Sequence, residues 1–420
     1  MMNDKLEFGC IGEHLPHSFS GEIHQLIGDY TYGLKELAPD ELPAFLTAQH
    51  FRGINVTIPY KQAVIPYLDR IDETASAIGA VNTVVNRNGK LYGYNTDLYG
   101  LTRLIQRIGL DLADKKILIL GTGGTSRTAS FTAKKLGARK IIRVSRTGRE
   151  EILTYEDVLR NHTDAEIILN TTPCGMFPDT DVQPLPLEPF SRLEGLVDVI
   201  YNPLRSKLVL GARSRGIPAE GGLYMLVAQA VRASELFLET TWPENLTDRI
   251  YDRILIEKEN IVLIGMPGSG KSAVGRVLAG KTGKSFADTD QLIVQKAGKS
   301  ITKIFREDGE AAFRNLESSV IRELSKTGGQ IISTGGGAVL RPENITALKQ
   351  NGRLIWLDRD PENLIPSGDR PLADTEEKMK QLYVEREPVY RAAADETVTV
   401  SGSPEQTAAR LIHYELRAST

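Results

Sequence analysis

Two cysteines, Cys10 and Cys174, are all that 420 residues supply. A scaffold stapled by structural disulfides is excluded on that count, and a reducing compartment is expected. No apolar run is long enough to span a bilayer; Ile117-Leu-Ile-Leu120 is typical and is strand-sized. The stretch from Met1 to Glu7 is charged and has no apolar centre, so no signal peptide is read there. Charge of one sign is also missing. The formal net charge is −3 and the pI about 6.2, which gives neither nucleic acid nor a membrane surface a reason to bind. Internal repeats and low-complexity tracts are absent as well. What remains is an ordinary globular composition, 41% hydrophobic and 25% charged. A chain of this length should hold two or three domains. A cytoplasmic protein acting on small molecules is expected, with homo-oligomerisation left open.

The sharpest local pattern is Asn260-Ile-Val-Leu-Ile-Gly-Met-Pro-Gly-Ser-Gly-Lys-Ser272. An apolar strand runs into a glycine-rich turn, and Ala273 to Leu278 reads as a helix. Gly265, Gly270, Lys271 and Ser272 fit G-x-x-x-x-G-K-[ST]. The backbone N–H groups of Gly268, Ser269 and Gly270 would converge on a phosphate, Lys271 would reach the terminal phosphates of ATP, and Ser272 would ligate Mg²⁺. Asp288-Thr-Asp290 follows a short strand. Residues two apart at a strand end point the same way, so both carboxylates are expected to face the phosphates. One can help hold Mg²⁺ through water; the other can accept a proton from an attacking hydroxyl. Phe305 to Glu317 reads as a helix with Arg314 and Glu317 on one face. Ser333-Thr-Gly-Gly-Gly337 ends a strand with three glycines, which lets backbone approach a ligand. With strands at Gln330–Ser333, Arg353–Leu357 and Thr397–Val400, residues 260–420 suit a small P-loop kinase with a parallel sheet.

A second glycine turn lies upstream, in Lys115-Lys-Ile-Leu-Ile-Leu-Gly-Thr-Gly-Gly-Thr-Ser-Arg127. Gly121 and Gly123 fit the first two positions of G-x-G-x-x-G, and Ser126 takes the third. Lys140-Ile-Ile-Arg-Val-Ser145 completes the βαβ unit that a dinucleotide needs. The pyrophosphate would sit over Gly124 and Thr125, where the helix begins. An acid at the end of the second strand would bond the ribose of NAD. This chain has Ser145-Arg146-Thr147 instead, and a guanidinium clamps a 2′-phosphate, so NADP(H) is expected. Glu166–Thr172 and Gly195–Tyr201 read as further strands of the same sheet.

Residues 1–100 read as a mixed α/β domain. Strands are expected at Leu6–Ile11, over Gly53–Lys61 up to Pro59, and as a pair joined by an Asn88-Gly89 turn. A helical pattern runs from Gln62 to Ala77. Ser18, Ser20, Thr57, Lys61, Asn82 and Asp97 all fall in loops or at strand ends, where a small polyhydroxylated acid would find converging donors and acceptors. His14 and His17 have a spacing compatible with metal ligation, without a supporting Cys or acidic cluster.

His17-Ser-Phe-Ser20, Asn55-Val-Thr-Ile-Pro-Tyr-Lys61, Gly79-Ala-Val-Asn-Thr83, Asn95-Thr-Asp97, Asn170-Thr-Thr-Pro-Cys-Gly-Met176, Asp198-Val-Ile-Tyr-Asn-Pro203 and the run from Gly221 to Ala230 resemble the motifs of shikimate dehydrogenases. The resemblance covers residues 5–240. It implies that Ser18 and Ser20 hold a carboxylate, that Thr57, Asn82 and Asp97 bind ring hydroxyls with Tyr201 and Gln229 nearby, and that Lys61 and Asp97 are the catalytic pair. Gly222 would border the cofactor. One departure is Gly21, where the family has proline; it makes that loop less rigid. The implied reaction is NADPH-dependent reduction of 3-dehydroshikimate, with the Lys61 ammonium stabilising the developing oxyanion and a proton to be delivered.

From Asn260 to about Glu396 the motifs resemble shikimate kinase. Carried across, Lys271 and Ser272 handle ATP and Mg²⁺, and Asp288 assists the metal. Asp290 binds the reacting hydroxyl as candidate base. Arg314 and Arg386 grip the substrate carboxylate, Gly335, Gly336 and Gly337 line the site, and Arg370 belongs to a lid over ATP. The lid stretch Leu364–Asp369 lacks a basic residue that some relatives place there. The expected organisation is a substrate domain (1–100, completed by helices in 221–242), a Rossmann domain (101–220), a linker (243–259) and a P-loop kinase domain (260–420). A bifunctional enzyme making shikimate 3-phosphate is implied. The alternatives are a ligand-sensing regulator without catalysis, or a first half that prefers quinate with NAD.

Overall fold

The computed structural model describes residues 6–15, 18–149, 151–364 and 375–417. It divides into two compact units: Met1–Asn202 with Leu208–Tyr251, and Pro203–Lys207 with Asp252–Thr420.

The first unit holds two six-stranded sheets. In one, Phe8–Gly12 lies between the parallel strands Tyr32–Glu36 and Gly53–Val56. Gly53–Val56 then pairs antiparallel with Thr83–Arg87, which turns back on Lys90–Tyr94. Asn88 and Gly89 both have positive φ, as an Asn-Gly hairpin turn demands. Ile11, Ile54, Val56, Val81 and Val84 form the core on this sheet. Each such side chain removed from water contributes about 1.5–3 kcal/mol before entropy is counted.

The other sheet has the order Ala219–Glu220, Gly195–Asp198, Ile167–Asn170, Lys116–Leu120, Lys140–Ser145, Ile152–Thr154, with every pair parallel. Its central strands are buried on both faces, which is why Ile117-Leu-Ile-Leu120 carries no polar alternation.

The second unit has one all-parallel sheet: Ser285–Asp288, Gln330–Ser333, Asn260–Ile264, Gly352–Asp358, Glu396–Thr399. Val262, Ile264, Ile332, Leu354 and Trp356 pack on one face; Ile261, Leu263, Ile331, Ile355 and Leu357 pack on the other.

Several elements depart from the sequence reading. Gln62 to Ala77 is not one helix. A 3₁₀ turn at Ile65–Tyr67, built on Pro66, leads into a two-residue strand, Arg70–Ile71, before the helix Glu73–Ile78. Gly21 lies in a helix, Ser20–Ile27, and not in a loop. The linker, expected to have helical character around Asp248 to Ile256, does hold a helix, Leu246–Lys258, whose Leu246, Ile250, Tyr251 and Ile254 are buried. Phe305 to Glu317 is split, because Ile301–Glu307 stops at Asp308 and Gly309–Leu324 restarts from a left-handed Gly309. No helix among the described residues is long and apolar enough to cross a membrane.

Candidate active sites

Lys61 follows the Gly53–Val56 strand, and Asp97 opens the helix Asp97–Arg107 just after the hairpin. Their side chains meet at 2.6 Å, Lys61 Nζ donating to Asp97 Oδ2, and both are largely shielded from water. The second carboxylate oxygen accepts from Asn82 Nδ2 at 2.9 Å. Asn82 is itself pinned. Its Oδ1 accepts the Thr96 N–H at 2.7 Å, and its Nδ2 lies 3.4 Å from Gln229 Oε1, a residue of the helix Leu223–Leu238. Thr96 Oγ1 donates to the same Gln229 oxygen at 3.3 Å. A cation, a carboxylate and two amides are thus held in one hydrogen-bonded cluster.

Ser18 and Ser20 hydroxyls lie 3.0 Å apart. The Tyr201 phenol bonds Ser18, is pushed up to about 12 by burial, and its ring packs 5.2 Å from Phe19. These three expected residues therefore come together. Thr57 stands at the strand end with its N–H on the Ile11 carbonyl and makes no described hydrogen bond to the Lys61–Asp97 cluster. Nearby Cys10 is an inert thiol, raised to about 12 by burial against the opposing pull of Lys61. Of the histidine pair, His14 is exposed and His17 lies outside the described residues.

The cofactor turn borders the same cluster. Lys61 Nζ is 3.5 Å from Thr125 Oγ1, and a Cβ on Gly124 would lie 3.2 Å from the Lys61 side chain. Gly121 has φ +111°, and a Cβ there would come within 2.7 Å of Thr171 Oγ1, so no other residue fits this turn. Gly123 caps the helix Gly124–Lys135 without a side-chain hydrogen bond, which suits a phosphate received by backbone N–H groups. Ser126 Oγ ties back to the Gly121 carbonyl at 2.7 Å. Arg146 is exposed at the end of the Lys140–Ser145 strand, and Ser145 Oγ donates to the Thr147 carbonyl. These groups fit an NADP(H) diphosphate and 2′-phosphate. Gly222 is buried at the start of its helix. A Cβ would sit 2.0 Å from the Val199 carbonyl oxygen, so packing alone demands glycine there.

In the second unit a cavity of about 420 Å³ is lined by Gly268, Gly270, Lys271, Ser272, Asp288 and Asp290, among others. Lys271 Nζ donates to the Gly265 and Met266 carbonyls at 2.9 and 2.8 Å. Ser272 Oγ donates to Asp288 Oδ2 at 2.6 Å. A hydroxyl and a carboxylate so placed are the hard oxygens that Mg²⁺ takes, with phosphates and water completing its shell. Among the described residues no cluster of three or more His, Cys, Asp or Glu offers a dedicated cage. Asp288 ends its strand, but Asp290 does not share it. The helix Thr289–Ala297 starts at once, and Asp288 Oδ1 caps it by accepting the Asp290 and Gln291 N–H groups. Both carboxylates still line the cavity, through a strand-to-helix junction instead of strand alternation.

The three glycines are close-approach positions. A Cβ on Gly335 would lie 2.7 Å from Asp290 Oδ1, one on Gly336 2.6 Å from Pro267, and one on Gly337 2.2 Å from the Arg314 guanidinium. Arg314 is buried and pairs with Glu317 at 2.8 Å and Glu310 at 3.1 Å. Burial raises the Glu317 carboxyl, and Asp290 adds to that, while Arg314 and Arg386 oppose it. Arg386 Nη1 donates to the Gly336 carbonyl at 3.0 Å, and Tyr390 OH donates to the same oxygen. Arg370 lies outside the described residues.

Sequence reasoning missed Thr96, Thr289 and Tyr390. Thr289 Oγ1 accepts the Gly335 N–H at 2.9 Å. Thr96 and Thr289 stand inside motifs already singled out, Asn95-Thr-Asp97 and Asp288-Thr-Asp290, and Tyr390 lies one turn beyond Arg386, so position was the available signal.

Comparison with known proteins gives two family matches. The model for the shikimate dehydrogenase substrate binding domain matches residues 10–84, and the shikimate kinase model matches residues 267–416. A shikimate dehydrogenase (NADP(+)) of Clostridium perfringens (strain SM101) is 34% identical over 265 residues, 59% of this chain and 97% of that protein. Shikimate dehydrogenase 1 from Peptoclostridium difficile is 34% identical with a TM-score of 0.55, covering 59% of this chain and 97% of that one. The shikimate 5-dehydrogenase of Thermus thermophilus, solved with NADP(H) and shikimate, is 28% identical with a TM-score of 0.54, covering 59% and 99%.

Proposed function

The chain belongs to the shikimate dehydrogenase (NADP(+)) family and carries a shikimate kinase domain after it, and from that premise we propose a bifunctional enzyme of consecutive steps. The first reduces 3-dehydroshikimate to shikimate. The second phosphorylates shikimate to shikimate 3-phosphate. What supports this reading most is that each unit gathers groups suited to one of the two steps: Lys61 with Asp97 in one, Lys271, Ser272, Asp288 and Asp290 in the other.

Bound NADPH supplies the hydride. Lys61 offers its Nζ–H where negative charge develops on the carbonyl oxygen and delivers the proton that completes the alcohol, and Asp97, fixed by Asn82, keeps it oriented. Ser18, Ser20 and Tyr201 offer hydroxyls to the carboxylate, while Asn82 and Gln229 face ring hydroxyls. Arg146 pairs with the 2′-phosphate. In the kinase, Ser272 and Asp288 would hold Mg²⁺, whose charge offsets that of the phosphates. Asp290 accepts the hydroxyl proton, and Arg314 and Arg386 grip the carboxylate. The first unit then comprises a substrate domain (1–100 with 221–242) and a cofactor domain (101–220), and residues 260–420 form the kinase domain.

The test supplies 3-dehydroshikimate, NADPH, ATP and Mg²⁺ to the whole chain and follows nicotinamide absorbance and ADP together. Both signals are expected, with ADP formation depending on NADPH. ADP released at the same rate without NADPH, or no NADPH oxidation, would refute the consecutive scheme.

A further inference from the structure

The phosphate loop has a basic neighbour that none of its motifs contains. Arg359 directly follows the strand Gly352–Asp358, which pairs in parallel with the loop's own strand Asn260–Ile264. Parallel pairing brings both strand ends to the same side, so Arg359 emerges beside the loop. A Cβ on Gly270 would lie 3.9 Å from Arg359 Nη1, and Gly270 lines the cavity. Arg359 is half-buried, and its Nε is buried without a hydrogen-bond partner among the described residues. The adjacent Asp358 is engaged elsewhere, accepting the Tyr383 hydroxyl at 3.0 Å. A guanidinium with a shielded, unsatisfied N–H beside an anion-binding turn has few stable partners other than an anion. In contrast, the segment 365–374 carries one basic residue, Arg370.

We propose that Arg359 is a nucleotide-binding residue of the kinase site, pairing with the polyphosphate of ATP from the strand adjacent to the phosphate loop. This rests on the phosphate-loop reading above and adds a residue to it. The guanidinium supplies positive charge from the end of a strand paired with the phosphate loop's own strand.

The experiment titrates a fluorescent ADP analogue into the full chain and into Arg359→Ala and Arg359→Lys, without shikimate, and then displaces it with tripolyphosphate. Thermal melting and NADPH oxidation serve as fold controls, since Arg359 has no part in the reductase site. The expected result is roughly tenfold weaker binding of both probes by Arg359→Ala, with partial recovery in Arg359→Lys. The KM for ATP should rise while that for shikimate stays within about twofold. Unchanged affinity for both probes, or a loss seen with the ADP analogue but not with tripolyphosphate, overturns the proposal; the latter would mean stacking on the base. Should the unaltered chain bind neither probe while melting normally, the phosphate-loop reading falls and the proposal with it. Binding of both probes without shikimate phosphorylation leaves the Arg359 comparison decisive and refutes only the substrate assignment.

Discussion

His24 is fully buried, stacked 3.7 Å from the Tyr32 ring, with Nδ1 2.5 Å from the Tyr30 hydroxyl and Nε2 without a partner. Burial lowers it from 6.5 to about 3, against a weaker opposing pull from Asn55. The unfolded chain takes up this proton below about pH 6.5, and the folded chain does not until about pH 3. Stability is therefore whole above pH 6.5 and falls as pH drops through that window, by at most roughly 1.4 kcal/mol per unit. His24→Phe should flatten the melting temperature between about pH 6.5 and 4.5 relative to the parent. Parallel curves for the two proteins would refute the assignment. Gly337 gives a second residue-level test. Its φ of −105° accepts alanine, but the new methyl would meet Arg314 at 2.2 Å and displace the guanidinium. Gly337→Ala should raise the KM for shikimate about tenfold or more, with the KM for ATP nearly unchanged and the melting temperature lowered because the buried Arg314–Glu317 pair is disturbed. A change confined to ATP would place Arg314 elsewhere in the mechanism.

Among elements, the helix Thr289–Ala297 joins fold to chemistry, because Asp288 both caps it and receives the Ser272 hydroxyl. Asparagine caps as well as aspartate, so Asp288→Asn should melt close to the parent yet need severalfold more Mg²⁺ for half-maximal kinase activity. Asp288→Ala should lose the cap too, at about 1 kcal/mol. Equal Mg²⁺ dependence in all three would remove Asp288 from the metal. The same junction shows how far sequence patterns reach. Central parallel strands were legible as unbroken apolar runs, since burial on both faces leaves no room for polar residues. Tyr32–Glu36, Ile152–Thr154 and Ala219–Glu220 carry no such signal, being short, at sheet edges or partly exposed. Helix ends depended on local geometry. The left-handed Gly309 and the Pro66 turn cut patterns that looked continuous, and hydrophobic spacing does not register either.

At the scale of the molecule, two sets of reacting groups predict separable activities. Lys61→Ala should abolish NADPH oxidation and leave phosphorylation of added shikimate intact; Lys271→Ala should do the reverse. Loss of both activities in either variant, with normal melting, would contradict independent sites. Most residues gathered in the two candidate sites fall in short motifs at loops and strand ends, which is why the sequence could single them out. The partnerships could not: Asn82 with Gln229 spans 147 residues, and only folding brings them within reach. That distance has a kinetic counterpart. The sheets Ala219–Glu220 to Ile152–Thr154 and Ser285–Asp288 to Glu396–Thr399 are wholly parallel, so none of their strands can zip onto its sequence neighbour through a tight turn. Among the described residues the hairpin Thr83–Arg87 with Lys90–Tyr94 is where sheet can begin from nearby chain. Apart from Lys140–Ser145 with Ile152–Thr154, joined through residues 146–151, the other described pairings must close longer loops first, which makes renaturation slow and leaves unpaired edges open to aggregation while it proceeds. Among the described residues that hairpin is bracketed by Asn82 and Asp97, so two of the groups clustered with Lys61 flank the spot from which ordered sheet can spread.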